Sequence, residues 1–86
     1  MNVRNLVEIT RKENFIYYRR EFHARAVYEL PEGEKTGKIE FTIETEPTGK
    51  KDISVRILDP VDYPLLPVLS ALKEAIRLAD YEGSLP

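Results

Sequence analysis

Eighty-six residues, a net charge of −2, no cysteine and a single histidine already exclude several classes of protein. The length fits one domain over residues 1–86, of a size that buries only about 60 to 65% of its unfolded surface. Without cysteine there are no disulfides, zinc ribbons, thiolate catalysis or iron–sulfur clusters, and with His23 alone no multi-histidine site forms within one chain.

A hydrophobic fraction of 42% and a charged fraction of 33% are ordinary for a globular protein. Met1 to Thr10 shows no apolar signal-peptide core, being interrupted by Arg4 and Glu8. No apolar run approaches the roughly 18 residues of a membrane span. The expectation is a cytoplasmic chain with no membrane contact and no cofactor. Charge is unevenly spread: residues 1–27 carry six Arg or Lys against three Glu, and the rest seven against twelve. A basic strand lying beside acidic ones accounts for this.

In chain order, Val3 to Thr10 reads as a first strand, with Val3, Val7 and Ile9 on one face and Arg4, Leu6, Glu8 and Thr10 on the other. Arg11 to Asn14 reads as a four-residue hairpin loop. That register sets Ile9 opposite Ile16 and Val7 opposite Tyr18. A short N-terminal helix is the competing reading. Phe15 to Leu30 then reads as one long strand. Ile16, Tyr18, Phe22, Ala24, Ala26, Tyr28 and Leu30 share its core face; Phe15, Tyr17, Arg19, Glu21, His23, Arg25, Val27 and Glu29 share the other. Strict alternation points Arg20 into the core, and a bulge near Arg19 would relieve it.

Leu30 to Gly37 has the composition of a loop. Lys38 to Glu46 and Lys51 to Leu58 are the third and fourth strands, joined by Pro47-Thr48-Gly49 as a three-residue hairpin loop. This turn implies a register. Ile43 faces Ile53, Phe41 faces Val55 and Ile39 faces Ile57 on the core side, while Glu40 faces Arg56 outside. Glu44 opposite Asp52 is the one like-charge pair. Beyond Asp59-Pro60 the period becomes helical: Leu65, Val68, Leu69, Leu72, Ile76 and Ala79 form a stripe. Ser70, Lys73, Glu74, Arg77 and Asp80 lie opposite. Asp62 is the expected N-terminal cap and Gly83 the expected stop, giving a helix of about 15 to 18 residues. Four strands with one apolar face and one helix with one apolar stripe make an α+β, two-layer ββββα fold: a four-stranded antiparallel meander with the helix on one face.

No catalytic or phosphate-binding motif stands out. The glycines are isolated in turns, and Glu40, Glu44, Glu46 and Asp52 fall on an outward face among basic neighbours. A metal site joining His23 to Glu44 or Glu46 is the strongest metal candidate, and it is a weak one. The chain therefore reads as non-enzymatic. Its most notable constellation is Phe15, Tyr17, Arg19, His23, Arg25 and Val27 on the outer face of the second strand, with Arg56 two strands away. Aromatic rings and arginines on a sheet suit single-stranded nucleic acid, although five glutamates share the face. The order of elements resembles in outline the ββββα units of the whirly, PC4-type and PUR families, which pair into dimers. Exposed apolar residues (Leu6, Phe15, Tyr17, Val27, Leu58) favour a protein–protein module instead, expected to be homodimeric. A single-stranded nucleic-acid binder is the alternative.

Overall fold

Two-residue alternation becomes four antiparallel strands in the computed structural model, which describes residues 1–86. They are β1 (Asn2–Lys12), β2 (Arg19–Leu30), β3 (Gly33–Thr45) and β4 (Lys51–Ile57), in the spatial order β1-β2-β3-β4, followed by helix α1 (Leu65–Tyr81). This is the ββββα meander expected from the sequence. The core lies between sheet and helix. Phe22, Ala24, Ala26 and Tyr28 of β2 and Ile39, Phe41 and Ile43 of β3 meet Ile53 of β4 and Val68, Leu72 and Ile76 of α1. Phe22 and Phe41 stack with ring centroids 4.8 Å apart. The helix approaches both edge strands, so the sheet curves around it. That helix is not long and apolar enough to cross a membrane.

The β3–β4 hairpin has the register its turn implied: Ile43 pairs with Ile53, Phe41 with Val55, Ile39 with Ile57 and Glu40 with Arg56. The turn is closed by the N–H of Glu46 to the carbonyl of Lys50 at 2.8 Å, with Gly49 at φ 89°. A Cβ at Gly49 would meet nothing within 4 Å, so substitution there strains only the backbone. Gly49→Val should therefore destabilise by more than about 1 kcal/mol, and Gly49→Asn by less, since asparagine tolerates positive φ better. Denaturant midpoints of the two variants check this. A neutral Gly49→Val would remove the turn as the source of the register.

Several expectations are corrected. β2 begins at Arg19, and residues 13–18 form the connection from β1, which runs on to Lys12. Asn14 is the physical reason. Its side chain accepts the N–H of Ile16 at 2.9 Å and donates to the carbonyl of Arg19 at 3.2 Å, folding Phe15 to Tyr18 into a turn. Ile9 and Val7 accordingly do not face Ile16 and Tyr18; Val7 pairs with Arg25 and Arg11 with Phe22. β1 also carries two register shifts, one between Val3 and Asn5 and one between Val7 and Thr10, where Glu8 takes φ 50°. Each shift reverses the side-chain phase. Leu6 thereby joins Val3 and Ile9 against the core, and Val7, opposite the outward-facing Arg25, lies on the other side.

No bulge occurs near Arg19; β2 pairs with β3 without a break from Arg19–Glu44 to Leu30–Gly33. Arg20 does point to the helix side, and there it meets Asp80 of α1 at 2.9 Å. Asp80 is thus drawn into the two-layer interface and is not part of the exposed helix face. The stretch from Leu30 to Gly37 is a two-residue turn, Pro31–Glu32, leading straight into β3. Asp62 caps nothing: Pro64 holds the N-cap position without a side-chain hydrogen bond. Gly83, at φ 74°, follows the last turn of the helix as expected.

Candidate functional site

The continuous β2–β3 pairing lays out a convex face whose rows can be followed residue by residue. Arg19, Glu21, His23, Arg25 and Val27 alternate outward along β2, opposite Glu44, Thr42, Glu40, Lys38 and Thr36 of β3. Cross-strand neighbours at this spacing interact directly, and most of the basic groups here are matched. Arg19 lies 3.5 Å from Glu44 and 3.9 Å from Glu21. Arg25 reaches Glu8 of the β1 bulge at 2.8 Å, and His23 stands 3.9 Å from Glu40. Arg4 is shared between Glu29 and Glu34. The face is a mosaic of half-exposed ion pairs, each worth at most about 1 kcal/mol. His23 meets Glu40, and the glutamates weighed for a metal site, Glu44 and Glu46, lie elsewhere. No group of three or more His, Asp or Glu residues converges.

The seven residues singled out from sequence are divided by the fold. Arg19, His23, Arg25 and Val27 share the outer row of β2, and Arg56 lies two strands away opposite Glu40. Phe15 and Tyr17 leave this face altogether. They occupy the β1–β2 loop, where Phe15 is fully exposed and Tyr17 is 95% exposed. No aromatic platform therefore lies over the arginines.

The loop makes a second, different site. Tyr17 packs edge-on against Tyr18 with ring centroids 5.7 Å apart. Together they border an open groove of about 710 Å³, whose other wall is Glu44, Thr45, Glu46 and Pro47 at the β3–β4 hairpin. The N–H of Thr45 bonds the carbonyl of Tyr18 at 2.9 Å and fixes the loop against that wall. Asp80 meets Arg20 and Lys51, so the C-terminus of α1 reaches the same end of the sheet and brings the exposed Tyr81 there. Sequence periodicity assigned Tyr18 and Ile16 to the core; Asn14 was the local signal against it.

One buried polar group lies apart from both sites. Tyr28 is fully enclosed, its hydroxyl has no partner, and burial, reinforced by the charge of Asp59, raises the phenol above its ordinary range. At neutral pH it stays protonated and serves as core.

With this geometry in view, the chain belongs to a protein family defined by a shared sequence pattern, which matches residues 1–81 and whose designation states no activity, ligand or partner. No curated protein and no solved structure matches the chain.

Proposed function

We propose that this member of the family acts by protein–protein association, as a homodimer, and not by catalysis. The supporting observation is the apolar surface left in water. Phe15, Tyr17, Leu66 and Tyr81 are each more than three-quarters exposed, in a chain whose buried core numbers 11 residues. Single exposed apolar side chains are normal on any protein. A run of four in one loop, Phe15 to Tyr18, bordering a groove, is the kind of surface that marks an interaction site. Aromatic anchors of this type supply most of the energy at protein interfaces.

The competing reading is single-stranded nucleic acid on the outer face of β2. Arg19 and Arg25 are held by Glu44 and Glu8, so a phosphate would first have to displace a carboxylate. Light scattering across a micromolar concentration series, with a labelled single-stranded oligonucleotide titrated at low and high salt, tests both. The expected result is a mass of two chains and no salt-sensitive binding. A monomer that binds oligonucleotide with a steep salt dependence would transfer the function to nucleic acid. A monomer that binds none defeats both readings.

A further inference from the structure

β4 is an edge strand with nothing beside it, and its outward charges have no partner within the chain. The N–H of Glu46 bonds the carbonyl of Lys50, and the N–H of Leu58 bonds that of Lys38. Bonded pairs alternate along an antiparallel ladder. Asp52, Ser54 and Arg56 therefore turn their backbone groups toward β3, while Lys51, Ile53, Val55 and Ile57 turn theirs to the open edge. No turn, loop or cap hydrogen bond takes up those groups. The opposite edge, β1, is broken by two register shifts and by Glu8 at φ 50°. Such irregularities keep an edge from pairing with another chain. β4 lacks them: it pairs with β3 from Lys51 to Ile57 without a shift.

The outer face of β4 carries Asp52 and Arg56 on either side of Ser54. Asp52 sits opposite Glu44, a like charge, and Arg56 sits opposite Glu40, which lies near His23. Neither Asp52 nor Arg56 makes an ion pair inside the chain.

We propose that two copies pair β4 to β4, antiparallel, about a two-fold axis through Ser54. The proposal deepens the association reading above and rests on it. Keeping the apolar side chains of both copies on the helix side requires a residue-centred axis, since a one-residue slip would turn them to the other face. Centred on Ser54, the pairing sets Asp52 opposite Arg56 of the second copy, twice by symmetry. These are the closer, non-hydrogen-bonded positions, with Cα atoms about 4.5 Å apart. Ile53 then joins Val55, and Lys51 joins Ile57, of the second copy. The whole strand is used, and its open edge is satisfied by about eight hydrogen bonds. Moving the axis to Ile53 would oppose Lys50 to Arg56; moving it to Val55 would leave Asp52 against Leu58. Only the Ser54 register matches both charges.

Asp52→Arg tests the pairing without threatening the fold, because inside the chain it replaces a like-charge pair with Glu44 by an opposite one. The variant should be at least as stable as wild type, yet dimerise at least about tenfold more weakly in sedimentation experiments. Arg56→Asp should do the same. Mixing the two variants in equal amounts should restore a dimer, since Arg then faces Asp at both symmetry-related positions, and the double exchange in one chain should restore it too. Val55→Pro removes an N–H that points to the open edge, so it should block pairing with no loss from the β3 ladder. A wild-type dimer untouched by Asp52→Arg and Val55→Pro overturns the β4 pairing and leaves association to another surface. Failure of the mixed variants to associate overturns the Ser54 register. A wild type monomeric throughout overturns this proposal and the association reading together.

Discussion

Phe41→Ala should cost about 3 to 5 kcal/mol of stability, and its neighbour Glu40→Ala under about 1 kcal/mol. The two residues are adjacent on β3 and differ only in which face they enter. Phe41 is 2% exposed and stacks on Phe22, whose side chain is fully buried. Truncating it opens a cavity under α1 that two central strands cannot close without breaking their pairing. Part of the loss is the stacked contact itself, worth about 0.5 to 1.5 kcal/mol beyond area. Glu40 keeps only His23 at 3.9 Å, in a half-exposed pair that water replaces cheaply. Chemical denaturation of both variants gives the comparison directly. Similar losses would mean that the sheet is displaced by one residue, since a single step exchanges the faces.

How legible each element was depended on how many local signals agreed. In the β3–β4 hairpin, Pro47 and Gly49 specify the turn, Ile43 and Ile53 specify the phase, and Glu40 with Arg56 matches in charge. All three signals point to the register observed. The β1–β2 connection failed for the opposite reason. Phe15, Ile16, Tyr17 and Tyr18 have strong strand composition, and composition outweighed the single asparagine whose side chain folds them into a turn. The two shifts in β1 are invisible to any count by twos, so Leu6 and Val7 exchanged faces. Glu34, Lys35 and Thr36 looked like loop because they are polar, yet β2 supplies their ladder partners in Glu29, Tyr28 and Val27. The charged face was legible one residue at a time. Its matching was not, because Arg25 finds Glu8 only through the β1 bulge. The free charges of β4 became visible once that matching was known.

Asp80 carries the other large effect expected of a single side chain. On a helical wheel it belongs with Lys73, Glu74 and Arg77, in water. In the fold its carboxylate is 11% exposed and bonded to Arg20 at 2.9 Å and Lys51 at 2.7 Å, joining the end of α1 to the starts of β2 and β4. The hydrogen bond from Arg20 holds its pKa below the ordinary aspartate value; partial burial opposes this, and Lys51 assists it. Asp80→Asn removes the charge and leaves Arg20, itself 23% exposed, without a counter-ion on the core side of the sheet. Because the pair is not fully enclosed, the cost should be about 1 to 3 kcal/mol, short of that for a deeply buried pair. The sign of the pH dependence follows from the lowered pKa. A carboxyl that ionises more readily when folded contributes its full stability above its unfolded pKa and loses it as pH falls through the folded value. The gap between wild type and Asp80→Asn should stay constant from neutral pH to about pH 5 and close at lower pH. Denaturation midpoints across that range decide the matter. A gap that persists undiminished in acid would mean that Asp80 acts through packing alone, and that Arg20 is held in the sheet by something other than this charge.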